Sequence, residues 1–155
     1  MNYQLVATMA AGLESVTTKE LKALGIQTRT ENGKVYFEGN DQTIALTNVW
    51  LRSADRIKIV IGQFKARTFD DLFEGVKALP WDHFLPLDAA FPVAGRAVRS
   101  QLHSEPDVQA ITKKAIVEKM SAVYHRTTRL PETGATYPLE VSILKDVATL
   151  TLDTT

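Results

Sequence analysis

The sequence predicts an α+β protein in two small units, a βαββαβ unit followed by an ααβαββ unit. Short stretches of alternating or β-branched apolar residues are interleaved with stretches whose apolar residues recur at helical spacing. Asn32-Gly33 and Lys145-Asp146 each lie between two strand-like stretches, where hairpin turns belong. A chain of 155 residues with 45% hydrophobic content can bury one good core or two small ones.

Tyr3 to Met9 reads as a short strand rich in β-formers. Leu13, Val16, Leu21 and Leu24 then mark an amphipathic helix, stopped by Gly25. Ile26 to Arg29 and Lys34 to Glu38 flank Glu31-Asn32-Gly33, a hairpin signal. Asn40 or Asp41 can cap a second helix carrying Ile44, Leu46, Val49, Trp50 and Leu51. Asp55 to Phe64 alternates charged and apolar and then turns apolar, like a half-buried strand. The order is the ferredoxin-like one, expected over residues 1–65.

The second unit is expected over residues 66–155. Thr68 can cap a helix reaching Leu79, with Phe69, Leu72, Phe73 and Val76 at helical spacing. Pro80, Pro86 and Pro92 break up the next segment, in which Trp81 and Phe84 suit a short helix. Ala90 to Val98 is a strand, and a long helix follows Ser104. Pro131 to Thr136 is a loop, and Tyr137 to Leu144 pairs with Val147 to Leu152 around Lys145-Asp146. Trp50 and Trp81 are both expected in the core.

Charge is unevenly spread. The formal net charge is zero, yet Gly95 to Arg129 carries seven cations against three acids, a local +4. Residues 1–95 carry ten against eleven, and residues 130–155 one against four. Such a basic segment can meet a polyanion without making the whole protein basic. Ser104 can cap the long helix, whose first turn holds Glu105, Pro106 and Asp107. Lys114, Glu118, Ser121 and His125 form one polar stripe, and Thr112, Lys119 and Arg126 a second. Apolar residues fill both gaps, as in a helix lodged between a sheet and another helix, with the polar stripes left for a ligand.

Catalytic and cofactor signatures are missing. His103 and His125 are 22 residues apart with no third ligand at useful spacing, so no metal site is expected. No serine or threonine has nucleophile-elbow or P-loop surroundings, and no glycine-rich turn follows a strand to hold a nucleotide or S-adenosylmethionine. The sequence contains no cysteine, which excludes disulfides and thiolate zinc sites. No apolar run is long enough to span a bilayer and the start does not resemble a signal peptide, so a cytoplasmic location is expected. What remains is binding. Arg96, Arg99, Lys113 and Lys114 come with Ser100, Gln101, His103 and Gln109, all able to reach phosphate or sugar oxygens. Only Tyr124 interleaves them, so backbone recognition suits the segment better than base stacking.

Three stretches resemble one family: GLESVTTKELKALG at 12–25, VWLRSADRIKIVIGQFKARTFDDLFEGVKALPW at 49–81, and VRSQLHSEPDVQAITKKAIVEKM at 98–120. They are similar to the amino-terminal half of bacterial THUMP-containing class I RNA methyltransferases, the ribosomal RNA guanine-N2 and N6-adenine-specific methylase group. The resemblance implies a ferredoxin-like domain followed by a THUMP domain that captures structured RNA for a methyltransferase domain beyond Thr155. By the third motif, Arg99, Ser100, Gln101, Lys113 and Lys114 carry over as RNA contacts; Arg96 and Lys119 are added from charge and proximity. The resemblance also implies no catalytic residue or cofactor in this chain, and S-adenosylmethionine in a full-length enzyme. Ribosomal RNA is the favoured partner. Transfer RNA, or a docking role without RNA affinity, are the alternatives.

Overall fold

The computed structural model describes residues 2–31, 33–126 and 130–154. Asn32 of the first predicted turn and Arg129 of the basic segment lie outside them. The chain divides into two compact units, Met1–Val60 with Asp153–Thr155, and Ile61–Leu152.

The first unit runs β1 (Tyr3–Thr8), α1 (Glu14–Ala23), β2 (Arg29–Glu31), β3 (Lys34–Gly39), α2 (Asp41–Trp50) and the first half of β4 (Arg56–Lys65). Its strands lie in the order β2-β3-β1-β4, antiparallel throughout, which is the ferredoxin-like sheet. Leu5, between Phe37 and Ile59, and Ala7, between Val35 and Ile57, form the fully buried centre of one face. Val6, Tyr36 and Val60 form a smaller cluster on the other, where the Arg29 guanidinium lies 4.5 Å from the Tyr36 ring. Gly25 ends α1 as expected: at φ +79° it lets its own N–H reach Lys22 O while Ile26 N–H reaches Leu21 O. Asn40 caps α2 in a reciprocal box with Thr43.

Trp50 departs from expectation. It is 60% exposed, whereas the sequence suggested a core position, and its neighbour Val49 is 75% exposed. Ile44, Thr47 and Leu51 share one stripe of the turn, and Thr47 is the only residue of α2 that is fully buried. Leu46, Val49 and Trp50 fall on the opposite side. A helix that is apolar on both sides can bury only one of them against a single sheet.

The second unit holds the rest of β4, α3 (Phe69–Lys77), a single 3₁₀ turn at Trp81–His83, β5 (Val93–Val98), α4 (Glu105–Val123), β6 (Leu139–Leu144) and β7 (Val147–Asp153) as far as Leu152. The strand order is β4-β7-β6-β5, with β5 parallel to β6 and at the edge. Trp81 is fully buried, and its indole N–H donates to Val76 O at 2.7 Å. The predicted second helix shrinks to that 3₁₀ turn, closed by Phe84 between prolines. Strand pairing of β5 begins at Val93, and Ala90 forms only an isolated bridge to Thr136.

The long helix α4 packs against both α3 and β5, as its two apolar sides require. Gly95 permits the close approach, because a Cβ there would come within 2.9 Å of Glu105 O. Two expectations fail. Ser104 precedes the helix, but its side chain makes no capping bond; its carbonyl accepts from Val108 N–H at 2.9 Å. The second polar stripe is an inner one, with Thr112 fully buried and Lys119 half-buried among Ala115, Ile116 and Met120. Helical spacing alone cannot say which of two polar stripes faces inward.

Candidate nucleic-acid interface

Three segments of the second unit meet at Asp146. The β6–β7 turn, Lys145-Asp146, has both residues left-handed at φ 49° and 65°, matching the primed turn that suits the strand twist. The Asp146 carboxylate accepts from Gln101 N–H at 2.8 Å and faces Arg67 Nε at 3.8 Å. Its N–H donates to Ser100 Oγ at 3.1 Å, and its carbonyl accepts from Ala66 N–H at 2.7 Å. Ser100 Oγ in turn donates to Val98 O, which also accepts from Lys145 N–H. The end of β4, the β6–β7 turn and the β5–α4 loop are thereby held together.

This end of the sheet is rich in cations. Arg96 and Arg99 are exposed and make no ion pair among the described residues. Lys65, Arg67 and Lys145 join them, although none stands out in the sequence as a binding residue. Lys145 reads there as a turn residue and Lys65-Ala66-Arg67 as a domain boundary, so their meeting depends on strand order. Arg96 aligns with Ser142 and Thr149 across β6 and β7, and Thr149 Oγ1 accepts from Gln63 Nε2 at 3.1 Å. One pleat on, Val98, Leu144 and Val147 form an exposed apolar row, open by 51, 47 and 39%. Both rows lie on the sheet face opposite Gly95 and hence away from α4.

The remaining expected residues are dispersed. Ser100 and Gln101 belong to the Asp146 cluster, and His103 turns back so that its Nδ1–H donates to Gln101 O at 3.1 Å. Gln109 and Lys113 line a groove of about 490 Å³ beside edge strand β5, with Pro92, Val93, Pro106 and Ala110. Lys113 is committed internally: its Nζ donates to Phe91 O at 2.9 Å, pairs with Glu132 at 2.5 Å and sits 3.7 Å from the Phe91 ring centre. Lys114 is exposed on the outer stripe of α4, between Asp107 and Glu118. Lys119 lies on the inner stripe described above. Of the helix cations, Lys113 is paired and Lys114 is flanked by acids, whereas Arg96 and Arg99 at the sheet end stand exposed.

A cofactor anion fits poorly at the glycine-containing β1–α1 turn. There the Glu14 carboxylate accepts from Gly12 N–H at 2.7 Å and lies 3.4 Å from Gly33 N. Those N–H groups, led by Gly12, hold the Glu14 carboxyl below its usual range. The donors that would cradle a phosphate or carboxylate are already taken.

Two domain families match the chain. The RlmL ferredoxin-like domain matches residues 4–58, and the THUMP domain matches residues 66–153. YpsC of Bacillus subtilis, named as an RNA methyltransferase, is 49% identical over 152 residues, 97% of this chain and 40% of that protein. The crystal structure of a Listeria monocytogenes protein described as an N6-adenine-specific DNA methylase is 61% identical, with TM-score 0.96 over 99% of this chain and 40% of that one. SMU.472, described as a methyltransferase and solved with SAH, is 55% identical, with TM-score 0.97 over 99% of this chain and 42% of that one. The chain thus spans about two fifths of these relatives. With the THUMP model matching more than half of its residues, the chain belongs to the THUMP family, with an RlmL-type ferredoxin-like domain ahead of it.

Proposed function

We propose that this chain is the RNA-capturing part of an S-adenosylmethionine-dependent RNA methyltransferase. It holds structured RNA through the backbone and orients it for a catalytic domain in the rest of the protein. The observation that carries this reading is the cation-rich sheet end, where Arg96 on β5 is exposed and Arg99 is exposed beside Ser100 and Gln101 on a loop secured by Asp146. Cations on a preset backbone can neutralise phosphates with little ordering cost. Ribosomal RNA is the favoured substrate, from the resemblance of the motifs at 12–25, 49–81 and 98–120. S-adenosylmethionine is the methyl donor of the whole enzyme in this reading, held by that catalytic domain, in keeping with the SAH bound to one relative. No helix among the described residues is long and apolar enough to cross a membrane, and the proposed place of action is the cytoplasm.

The test is a salt titration of binding to ribosomal RNA fragments, transfer RNA and duplex DNA. Tightest binding to ribosomal RNA, falling linearly in log–log salt, is the expected result. Preference for transfer RNA would reassign the substrate, and equal affinity for duplex DNA would remove the claim to structured RNA. Reversing Arg96 and Arg99 to Glu together should reduce the salt slope by about 0.7–0.9 per lost phosphate contact.

A further inference from the structure

We propose that the β6–β7 turn is a phosphate-binding element of that RNA surface, with Lys145, Arg67 and Arg99 as its cations and Asp146 as the residue that positions them. The proposal rests on the RNA-capture reading and gives that reading a location. Its ligand is the phosphodiester backbone, with ribose or base edges on the adjoining apolar row of Val98, Leu144 and Val147.

Three features of the turn support this. The cations come from three segments that Asp146 ties together: Arg67 by its side chain, Arg99 through the neighbouring Ser100, and Lys145 by the turn itself. The carboxylate accepts from Gln101 N–H and pairs with Arg67, while Lys145 and Arg99 make no ion pair with it. Backbone strain is concentrated in the same place. Of the four described non-glycine residues with positive φ, Arg99, Lys145 and Asp146 are here, and only His125 is elsewhere. A primed turn favours asparagine or glycine at both central positions, so lysine is a poor residue for the turn but a good one for a phosphate. Apolar row and cations together fit a nucleotide chain better than a lone inorganic anion.

Lys145→Asn removes the charge and installs a residue the turn prefers, so lost binding cannot be ascribed to a damaged fold. The 155-residue chain is titrated against the tightest-binding RNA at several salt concentrations, beside Lys19→Gln, an equal charge loss on α1. Lys145→Asn should weaken binding by about three- to tenfold and reduce the salt slope by about 0.7–0.9, with an unchanged or raised Tm. Lys19→Gln should do neither. Adding Arg99→Asn should lower the slope by a similar further step. Wild-type affinity in Lys145→Asn, or an equal loss in both single variants, would overturn the phosphate site while leaving RNA capture standing. A wild-type chain that binds no RNA even at low salt would overturn both.

Discussion

Asp146 and Gln101, 45 residues apart in the chain, are joined by a 2.8 Å hydrogen bond from the Gln101 backbone N–H to the Asp146 carboxylate. That bond ties the loop before α4 to the β6–β7 turn, so the loop carrying Arg99 is held by a residue 45 positions further along the chain. An acid at the centre of a cationic surface weakens the field it sits in. Its value here is geometric, holding backbone donors that would otherwise be left to solvent.

Replacing Asp146 separates charge from geometry. Asp146→Ala raises the local charge yet releases the Gln101 amide, and should cost about 1–3 kcal/mol of stability. It should also weaken RNA binding, against the direction simple electrostatics would give. Asp146→Asn keeps an acceptor, tolerates φ 65° and removes the negative charge, so it should bind RNA as tightly as the parent or more tightly. Denaturant unfolding and filter binding on the two variants provide the check. Tighter binding by Asp146→Ala would reduce Asp146 to a plain charge.

Lys113 should behave as a structural lysine. Its contacts with Phe91 O, Glu132 and the Phe91 ring are all internal to the second unit. Lys113→Met should cost about 1–2 kcal/mol in chemical denaturation, from a partly buried ion pair and a cation–π contact. The salt slope of RNA binding should stay within error of wild type. A slope reduced by a full phosphate contact would return Lys113 to the interface.

Acid should loosen the first unit through Glu20. Its carboxylate accepts from Ser53 Oγ and from the Ser53 and Arg52 N–H groups, and these bonds, led by the Ser53 hydroxyl, hold its pKa below the usual glutamate range. A carboxyl with a depressed folded-state pKa contributes stability that is fully present above its unfolded pKa. That contribution is lost as pH falls through the folded value. Glu20→Gln should therefore lower Tm at neutral pH and narrow the gap to wild type in acid. A gap that stays constant from neutral pH downward would show that Glu20 does not titrate with folding.

Much of the fold was legible because the strongest signals are local. Gly25, Asn40 and Thr68 punctuate helices through bonds no more than a few residues long, and each ends or begins its helix where expected. The Lys145-Asp146 turn follows from alternation on both sides. Helix α2 shows where local reading stops. Its apolar residues circle the helix, and only the position of the sheet decides that Thr47 is buried and Trp50 exposed. The inner and outer stripes of α4 were ambiguous for the same reason.

By itself, the sequence determined the element order and the basic character of residues 95–129, since propensity, periodicity and charge reside in neighbouring residues, and its three motifs carried the resemblance to the family. The tertiary structure decided which cations share one end of the sheet. It tied Lys113 to Phe91 and Glu132, set Lys119 on the half-buried stripe, left Lys114 between acids, and placed Arg67, Lys145 and Arg99 on the three segments that meet at Asp146. That choice depends on strand order and on one carboxylate bridging three segments, and neither is written in the spacing of residues along the chain.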